Sequence, residues 1–306
     1  MERTERKRLA GPVAAAVGLL LALVGIWLWI ETTQDVTLVV WLGKLPVVVV
    51  FAIVAVFWVL FGLIAWWIAE RTFENDGREV THENVARLLL IMTSFFVFVL
   101  GFVVSQEWSN ATAARNEVSR GAAALYTAGY NNFPLPQPSK KEIQVALDDL
   151  GNSIVCDDIP SLADTALGSP ETAQALARTF EVTTDQPQSV QDLATYDNIV
   201  DELGVISEAR REWLSHADNG LPTVILLTIF LVSGFLLAAF VVQSTRSRRG
   251  HLATVIILSL LIALGTGLVI SLARPFGGAA QVNPDSFSQG AAASNRSCAE
   301  YKAAFR

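Results

Sequence analysis

LPVVVVFAIVAVFWVLFGLIAWWIA, residues 45–69, runs without one charged side chain. A bilayer's hydrocarbon layer is about 30 Å thick, and roughly 20 apolar residues cross it as a helix. The run is continuous rather than alternating, so it reads as a helix and not as a barrel strand. Four further runs share these properties: Gly11–Ile30, Leu88–Ser105, Leu221–Val242 and Leu252–Ala273. None of the five contains Asp, Glu, Lys or Arg. In lipid only a helix or a closed barrel satisfies its own backbone. The predicted fold class is therefore all-α: a polytopic membrane protein with five transmembrane helices.

Composition agrees. The 306 residues are 52% hydrophobic and 17% charged, below the roughly 25% charged of soluble chains. Two cysteines, three histidines and two methionines leave little material for a metal site. Gly-rich phosphate loops, Cys-x-x-Cys and Gly-x-Ser-x-Gly are missing, so the expectation is no enzyme, no cofactor and no metal. Arg3, Arg6, Lys7 and Arg8 precede the first span as they would a signal peptide. Its apolar region exceeds the usual ~7–15 residues and no small-residue cleavage site follows, so it reads as a retained helix.

Lys and Arg in short loops set orientation. The N-terminus, the loop 70–87 (Arg71, Arg78, Arg87) and the loop 243–251 (Arg246, Arg248, Arg249) are basic, and share one side if all five spans cross. The opposite loop, 31–44, has only Lys44. The N-terminus is thus predicted cytoplasmic and the C-terminus extracytoplasmic, in a bacterial plasma (inner) membrane. Trp27, Trp29, Trp41, Trp66 and Trp67 lie near span ends, where amphipathic rings favour the headgroup layer.

The predicted organisation is then 1–44, a cytoplasmic segment, first helix and short outer loop; 45–105, helices two and three; 106–220, a helical extracytoplasmic domain; 221–273, helices four and five; and 274–306, an outer tail. Residues 106–220 hold 7 basic and 18 acidic side chains, a formal charge of −11, against +4 for the rest. That balance argues against nucleic acid as a partner of the domain.

Within it, the third span is predicted to continue as one helix to about Tyr130, until Pro134, Pro136 and Pro138 break it. Ser139 with Glu142 suggests a capping box, for a helix burying Ile143, Ala146, Leu147 and Leu150. Ser169 before Pro170 and Glu171 reads as an N-cap. Ser189 to about Ser215 is amphipathic through Val190, Leu193, Val200, Leu203 and Ile206. Two long helices would leave the membrane, continuing spans three and four. Cys156 and Cys298 both fall outside, where thiols oxidise, which predicts a disulfide tying the tail to the domain.

Several local patterns occur in a telling order. Thr81-His82-Glu83-Asn84 precedes the third span; Leu100-Gly101-Phe102-Val103-Val104 is followed by Trp108, then Ala124-Leu125-Tyr126. Ala209-Arg210-Arg211-Glu212-Trp213-Leu214 precedes Leu221-Pro222, and Pro275-Phe276-Gly277-Gly278 follows the last span, with Val282, Pro284 and Phe287 behind it. In this order they resemble the bestrophin-like domain-of-unknown-function family of bacterial membrane proteins, over about Leu45 to Gly290. The first span is extra to that family's four-helix plan. Asp158-Ile159-Pro160 stands where the family usually has a Glu-Trp-Pro-like element, and Arg274 where it usually has an acid before Pro-Phe.

The resemblance implies an oligomeric anion channel with a hydrophobic neck. The implied partners are the bilayer, further copies of the chain and a small anion. Candidate pore-lining residues are Thr93, Ser94, Phe95, Phe98 and Phe102, with Phe96 beside them, because hydrophobic rings can gate by dewetting. Ser105, Thr228, Ser233, Ser259, Thr266 and Ser271 are the other polar intramembrane side chains, and such residues commonly glue helices together. Gly101, Gly234, Gly265 and Gly267 allow close helix contact. Arg210 and Arg211 are open to an anion or to pairing with Glu208 and Glu212 along the helix. No mid-span charge points to a proton relay or voltage sensor. The alternative is a non-conducting envelope protein whose acidic domain binds an unidentified protein or ligand.

Overall fold

The structure, a computed structural model, describes residues 45–73, 82–185, 192–218, 223–242, 248–277, 287 and 298–304. The first apolar span, Pro222 and Gly278 lie outside the described residues. Within them the helices are α1 (Val47–Phe73), α2 (His82–Asn131), α3 (Ser139–Ser153), a π-helical turn (Ile154–Asp158), α4 (Ile159–Thr165), α5 (Pro170–Thr184), α6 (Leu193–Asp218), α7 (Thr223–Val242), α8 (Arg248–Leu272) and α9 (Cys298–Ala304). Four stretches among the described residues are long and apolar enough to cross a membrane: Val47–Arg71, Leu89–Asn131, Val224–Val241 and Arg248–Leu272. They overlap the second to fifth predicted spans.

The chain divides into two compact units, Met1–Glu107 with Leu221–Ala273, and Trp108–Gly220 with Arg274–Arg306. In the first, α1, α7 and α8 pack closely around Trp58, which is 1% exposed. Lipid offers no hydrophobic drive to helix association, so van der Waals fit and polar bonds decide it. Trp58 Nε1 donates to Thr266 Oγ1 at 3.1 Å, and its ring meets Phe61 edge-on at 5.9 Å. Gly62 and Gly267 permit the approach of α1 to α8, and Gly265 that of α2 to α8. A Cβ at Gly62 would lie 2.5 Å from Ser259 Oγ, at Gly267 2.8 Å from Phe51, and at Gly265 2.5 Å from Leu100. The sequence pointed to the last two and missed Gly62. Gly101 has nothing within 4 Å of such a Cβ, so it faces open space rather than a helix.

The second unit is a helical bundle. The expected α3 face, Ile143, Ala146, Leu147 and Leu150, is buried. The capping box is not formed. Pro138 is already helical at φ −89°, ψ −13°, and its carbonyl accepts from Glu142 N at 3.2 Å. The helix therefore starts a residue earlier and Ser139 lies inside it. Ser169 does cap α5, accepting from Thr172 N at 3.3 Å. On α6 the buried row is Tyr196, Ile199, Leu203, Ile206 and Trp213. Val200 and Leu193 lie off that row, because Tyr196 rather than Leu193 sets the helix's rotation. The α5 hydroxyls dock on α3 and its end: Thr172 donates to Ser153 O and Thr179 to Ala146 O, at 3.1 and 3.2 Å.

The Cys156–Cys298 disulfide is formed across 142 residues, with a Cα–Cα distance of 5.3 Å. It holds α9, where Lys302 pairs with Asp157 at 3.2 Å and Tyr301 is buried. Phe287 is also fully buried and meets Trp213 edge-on at 5.9 Å.

Candidate functional site

In the membrane unit, α2 leaves one side open. Phe96 is 8% exposed and joins the core, whereas Phe95, Phe98 and Phe102 are 52, 73 and 64% exposed. At about 100° per residue, Ser94, Phe95, Phe98 and Phe102 share an arc of roughly 100°. Thr93 is also exposed, but helical geometry sets it about 140° from Phe98. The Ser94 hydroxyl donates to Leu90 O at 2.8 Å, so it offers lone pairs outward, not a proton. Ser259, Thr266 and Thr228 bond the backbone of their own helices, donating to Val255 O, Ile262 O and Val224 O at 2.8, 2.8 and 2.7 Å; the first two are buried and Thr228 is exposed.

The end of this unit where α1 stops and α8 starts is basic and aromatic. Arg71 lies 4.3 Å over the Trp67 ring. Arg248 pairs with Glu70 at 3.3 Å and lies 5.4 Å over Trp66. His251 is buried, with Nε2 3.2 Å from Val241 O and its ring stacked on Phe240. His82 and Asn84 fall in the first turn of α2.

In the second unit the charged centre is Asp158, at 0% exposure, on the π-helical turn. Arg210 on α6 grips it with two bonds, Nη2 to Oδ1 at 2.8 Å and Nε to Oδ2 at 3.0 Å. Ser169 N donates to Oδ1 at 2.7 Å and Trp213 Nε1 to Oδ2 at 3.3 Å. Arg210 Nη2 also donates to Ser169 O at 3.0 Å. A buried ion pair is tolerated when geometry is bidentate and the remaining lone pairs are used, and both conditions hold. The approach requires Gly168, where a Cβ would lie 2.6 Å from Leu214 Cδ2 and 2.9 Å from Arg210 Nη2. Ala166 makes the turn before it in the left-handed region, φ 61°.

Arg210 and Glu208 have partners beyond α6. Arg210 reaches a partner 52 positions away, and Glu208 pairs at 2.6 Å with Arg120. Arg211 and Trp108 are exposed, while Pro275 and Phe276 are buried. Arg274 is 7% exposed; burial pulls its guanidinium below the usual value, and Asp164 opposes that. A cavity of about 850 Å³ lies beside α9, lined by Asp149, Asp157, Glu171, Glu181, Arg178 and Lys302 among others. Among the described residues, no group of three His, Cys, Asp or Glu side chains is arranged to hold a metal.

A family model, the bestrophin-like domain, matches residues 56–287. The chain belongs to the bestrophin-like family. No curated protein matches it. Among solved structures it is similar to a variant of a bacterial bestrophin homologue from Klebsiella pneumoniae, with a TM-score of 0.61 and 16% identity, covering 79% of this chain and 96% of that one. A second variant of that homologue gives 0.61 and 14%, with 80% and 95% covered. A crystal structure described only as a membrane protein gives 0.59 and 16%, with 79% and 95% covered. These likenesses establish a shared fold. With the four apolar helices, they make the chain a bestrophin-like membrane protein.

Proposed function

We propose that this bestrophin-like protein is a subunit of an oligomeric channel for small anions, with α2 lining the pore. The observation that carries the reading is the open phenylalanine face of α2. Phe95, Phe98 and Phe102 stay exposed while Phe96 on the same helix packs inward. Exposed rings repeated around a closed ring of copies form a hydrophobic constriction, which gates by dewetting. The face has no carboxylate between Ser94 and Phe102, so nothing in it repels an anion by charge.

The proposed topology has five spans, with the N-terminus cytoplasmic and the unit beginning at Trp108 outside. Two observations support it. A disulfide persists in an oxidising compartment, and Cys156–Cys298 ties that unit to the tail. Arg71 lies in the last turn of α1 and Arg248 pairs with Glu70 beside it, and basic residues at span ends mark the cytoplasmic side.

A second reading is a non-conducting envelope protein whose exterior unit binds a partner. The cavity beside α9, with carboxylates from Asp149, Asp157, Glu171 and Glu181, favours it. Chloride flux through purified protein in sealed liposomes decides between them. The channel reading expects flux that rises in the Phe95→Ala/Phe98→Ala double variant. Flux absent from both proteins, folded and inserted, overturns it.

A further inference from the structure

A cleft of about 420 Å³ lies between α1 and α8 in the membrane unit, with Phe51 and Ala55 on one wall and Ile257, Leu260, Leu261 and Leu264 on the other. Those four α8 side chains are exposed. The cleft is lined by apolar residues of two spanning helices, so it suits hydrocarbon rather than water or an ion.

Both walls lead to the same charged end. Trp66 stands eleven residues beyond Ala55 on α1, three turns and about 20° further round, so it continues that wall. Arg249 stands eleven residues before Leu260 on α8, with the same small offset. The two helices are antiparallel, because Gly62 lies against Ser259, Gly267 against Phe51, and Glu70 pairs with Arg248. Trp66 and Arg249 therefore share one mouth of the cleft, about 16 Å along the axes from Ala55 and Leu260.

Arg248 joins them, 5.4 Å over the Trp66 ring. It meets Glu70 through Nε at 3.3 Å, which leaves its two terminal nitrogens for another acceptor. Arg249 is exposed at the same end. Two guanidiniums against one carboxylate leave this mouth net positive. Tryptophan and arginine at a span end sit at headgroup level, and the guanidinium fork matches a phosphate. Tails of one leaflet reach about 15 Å inward. Ile257 is eight residues from Arg249, about 12 Å, so a lipid headed at the arginines brings its tail to the cleft.

We propose that mouth and cleft together bind one anionic phospholipid, its phosphate on Arg248 and Arg249 and one acyl tail between α1 and α8. An acyl chain alone fills the cleft without using the arginines, and a phosphate alone leaves it open. A phospholipid does both, and ties α1 to α8 along their seam. The site works whichever face of the membrane the arginines occupy.

Native mass spectrometry of the full chain in detergent, titrated with defined lipids, tests it. Dioleoyl phosphatidylglycerol is expected to bind at least about tenfold more tightly than dioleoyl phosphatidylcholine, given two arginines at the phosphate. Arg249→Gln leaves the Arg248–Glu70 pair intact and should cut that preference about fivefold. Arg71→Gln removes the same charge about 160° round α1 from Ala55, where Arg71 lies over Trp67, and should leave the preference unchanged. Ala55→Trp fills the cleft and should weaken dioleoyl phosphatidylglycerol by about tenfold or more, with the dihexanoyl lipid unaffected. Leu264→Trp fills it from the other wall and should act alike, which covers a failure of Ala55→Trp to fold. Equal affinity for the two headgroups, or equal losses from Arg71→Gln and Arg249→Gln, would show diffuse charge and overturn the proposal. Dioleoyl binding untouched by both tryptophan variants would show a headgroup held without the cleft, and overturns it too. So does a loss of oligomer mass in those variants with lipid binding unchanged, which assigns the cleft to a second copy.

Discussion

Replacing Asp158 by alanine removes one acceptor from four donors. Ser169 N, Arg210 Nη2, Arg210 Nε and Trp213 Nε1 reach it at 2.7, 2.8, 3.0 and 3.3 Å. Breaking a buried ion pair from one side costs about 3–5 kcal/mol, because the surviving charge is left unpaired in a poor solvent. The Arg210 side chain is 13% exposed and keeps Ser169 O at 3.0 Å, so it recovers some solvation. The lower part of the range, about 3 kcal/mol, is expected. For a unit of this size each kcal/mol is worth about 2–4 °C, so the Tm of the purified full chain in detergent should fall by about 10 °C. Intrinsic tryptophan fluorescence reports it, since Trp213 is in the cluster. Arg210→Met added to Asp158→Ala should restore part of the loss, because it removes the stranded charge. A fall under about 2 °C for Asp158→Ala, or a double variant as unstable as the sum of the singles, would refute the claim that the pair is held as one buried unit.

Three further outcomes are expected. Cys298→Ser opens a loop of 142 residues, for which chain entropy gives roughly 5 kcal/mol; thermal melts with and without reductant check it, and a loss under about 1 kcal/mol would remove the tail-anchor role. Stability around α9 should weaken at both pH extremes. Ser169 Oγ–H, the Glu171 backbone N–H and Lys302 lower the Glu171 carboxyl below its ordinary 4.5, so its contribution is present above that value and lost as pH falls through the lowered one. Burial and then Asp157, Asp149 and Glu171 raise Tyr301 above 10.0, so its contribution is complete below pH 10 and lost as pH rises further. Denaturation titrations of Glu171→Gln and Tyr301→Phe should flatten the acid and alkaline limbs respectively, and a limb that keeps its slope excludes that residue. Phe96→Ala should cost about 3 kcal/mol as a cavity in the core, while Phe98→Ala, at 73% exposure, should stay within about 0.5 kcal/mol; equal losses in detergent melts would show that Phe98 packs too.

Much of the fold was legible because the strongest constraints are local. A continuous apolar run must bond its own backbone, which is why α1, α2, α7 and α8 could be read from the sequence. The α2 helix runs on to Asn131 because no proline interrupts it, and Ser169 caps α5 because its hydroxyl lies three residues from Thr172 N. The capping box at Ser139 failed through a local competitor, the helical backbone of Pro138. The α6 row was misjudged because apolar residues on that helix fit two rotations, and burial of Tyr196 and Trp213 selects one.

Sequence alone thus determined that the chain is helical and membrane-embedded, and it pointed to Cys156 and Cys298 as partners, a pair the structure forms. Each follows from desolvation or redox chemistry, which act on a segment whatever its neighbours. Tertiary structure alone decided that Asp158 belongs to Arg210, that Gly62 admits Ser259, and that Phe96 turns inward while Phe95, Phe98 and Phe102 do not. Those outcomes depend on which helices meet and at what rotation. A carboxylate and a guanidinium 52 residues apart share no local pattern, and only packing brings them within 3 Å.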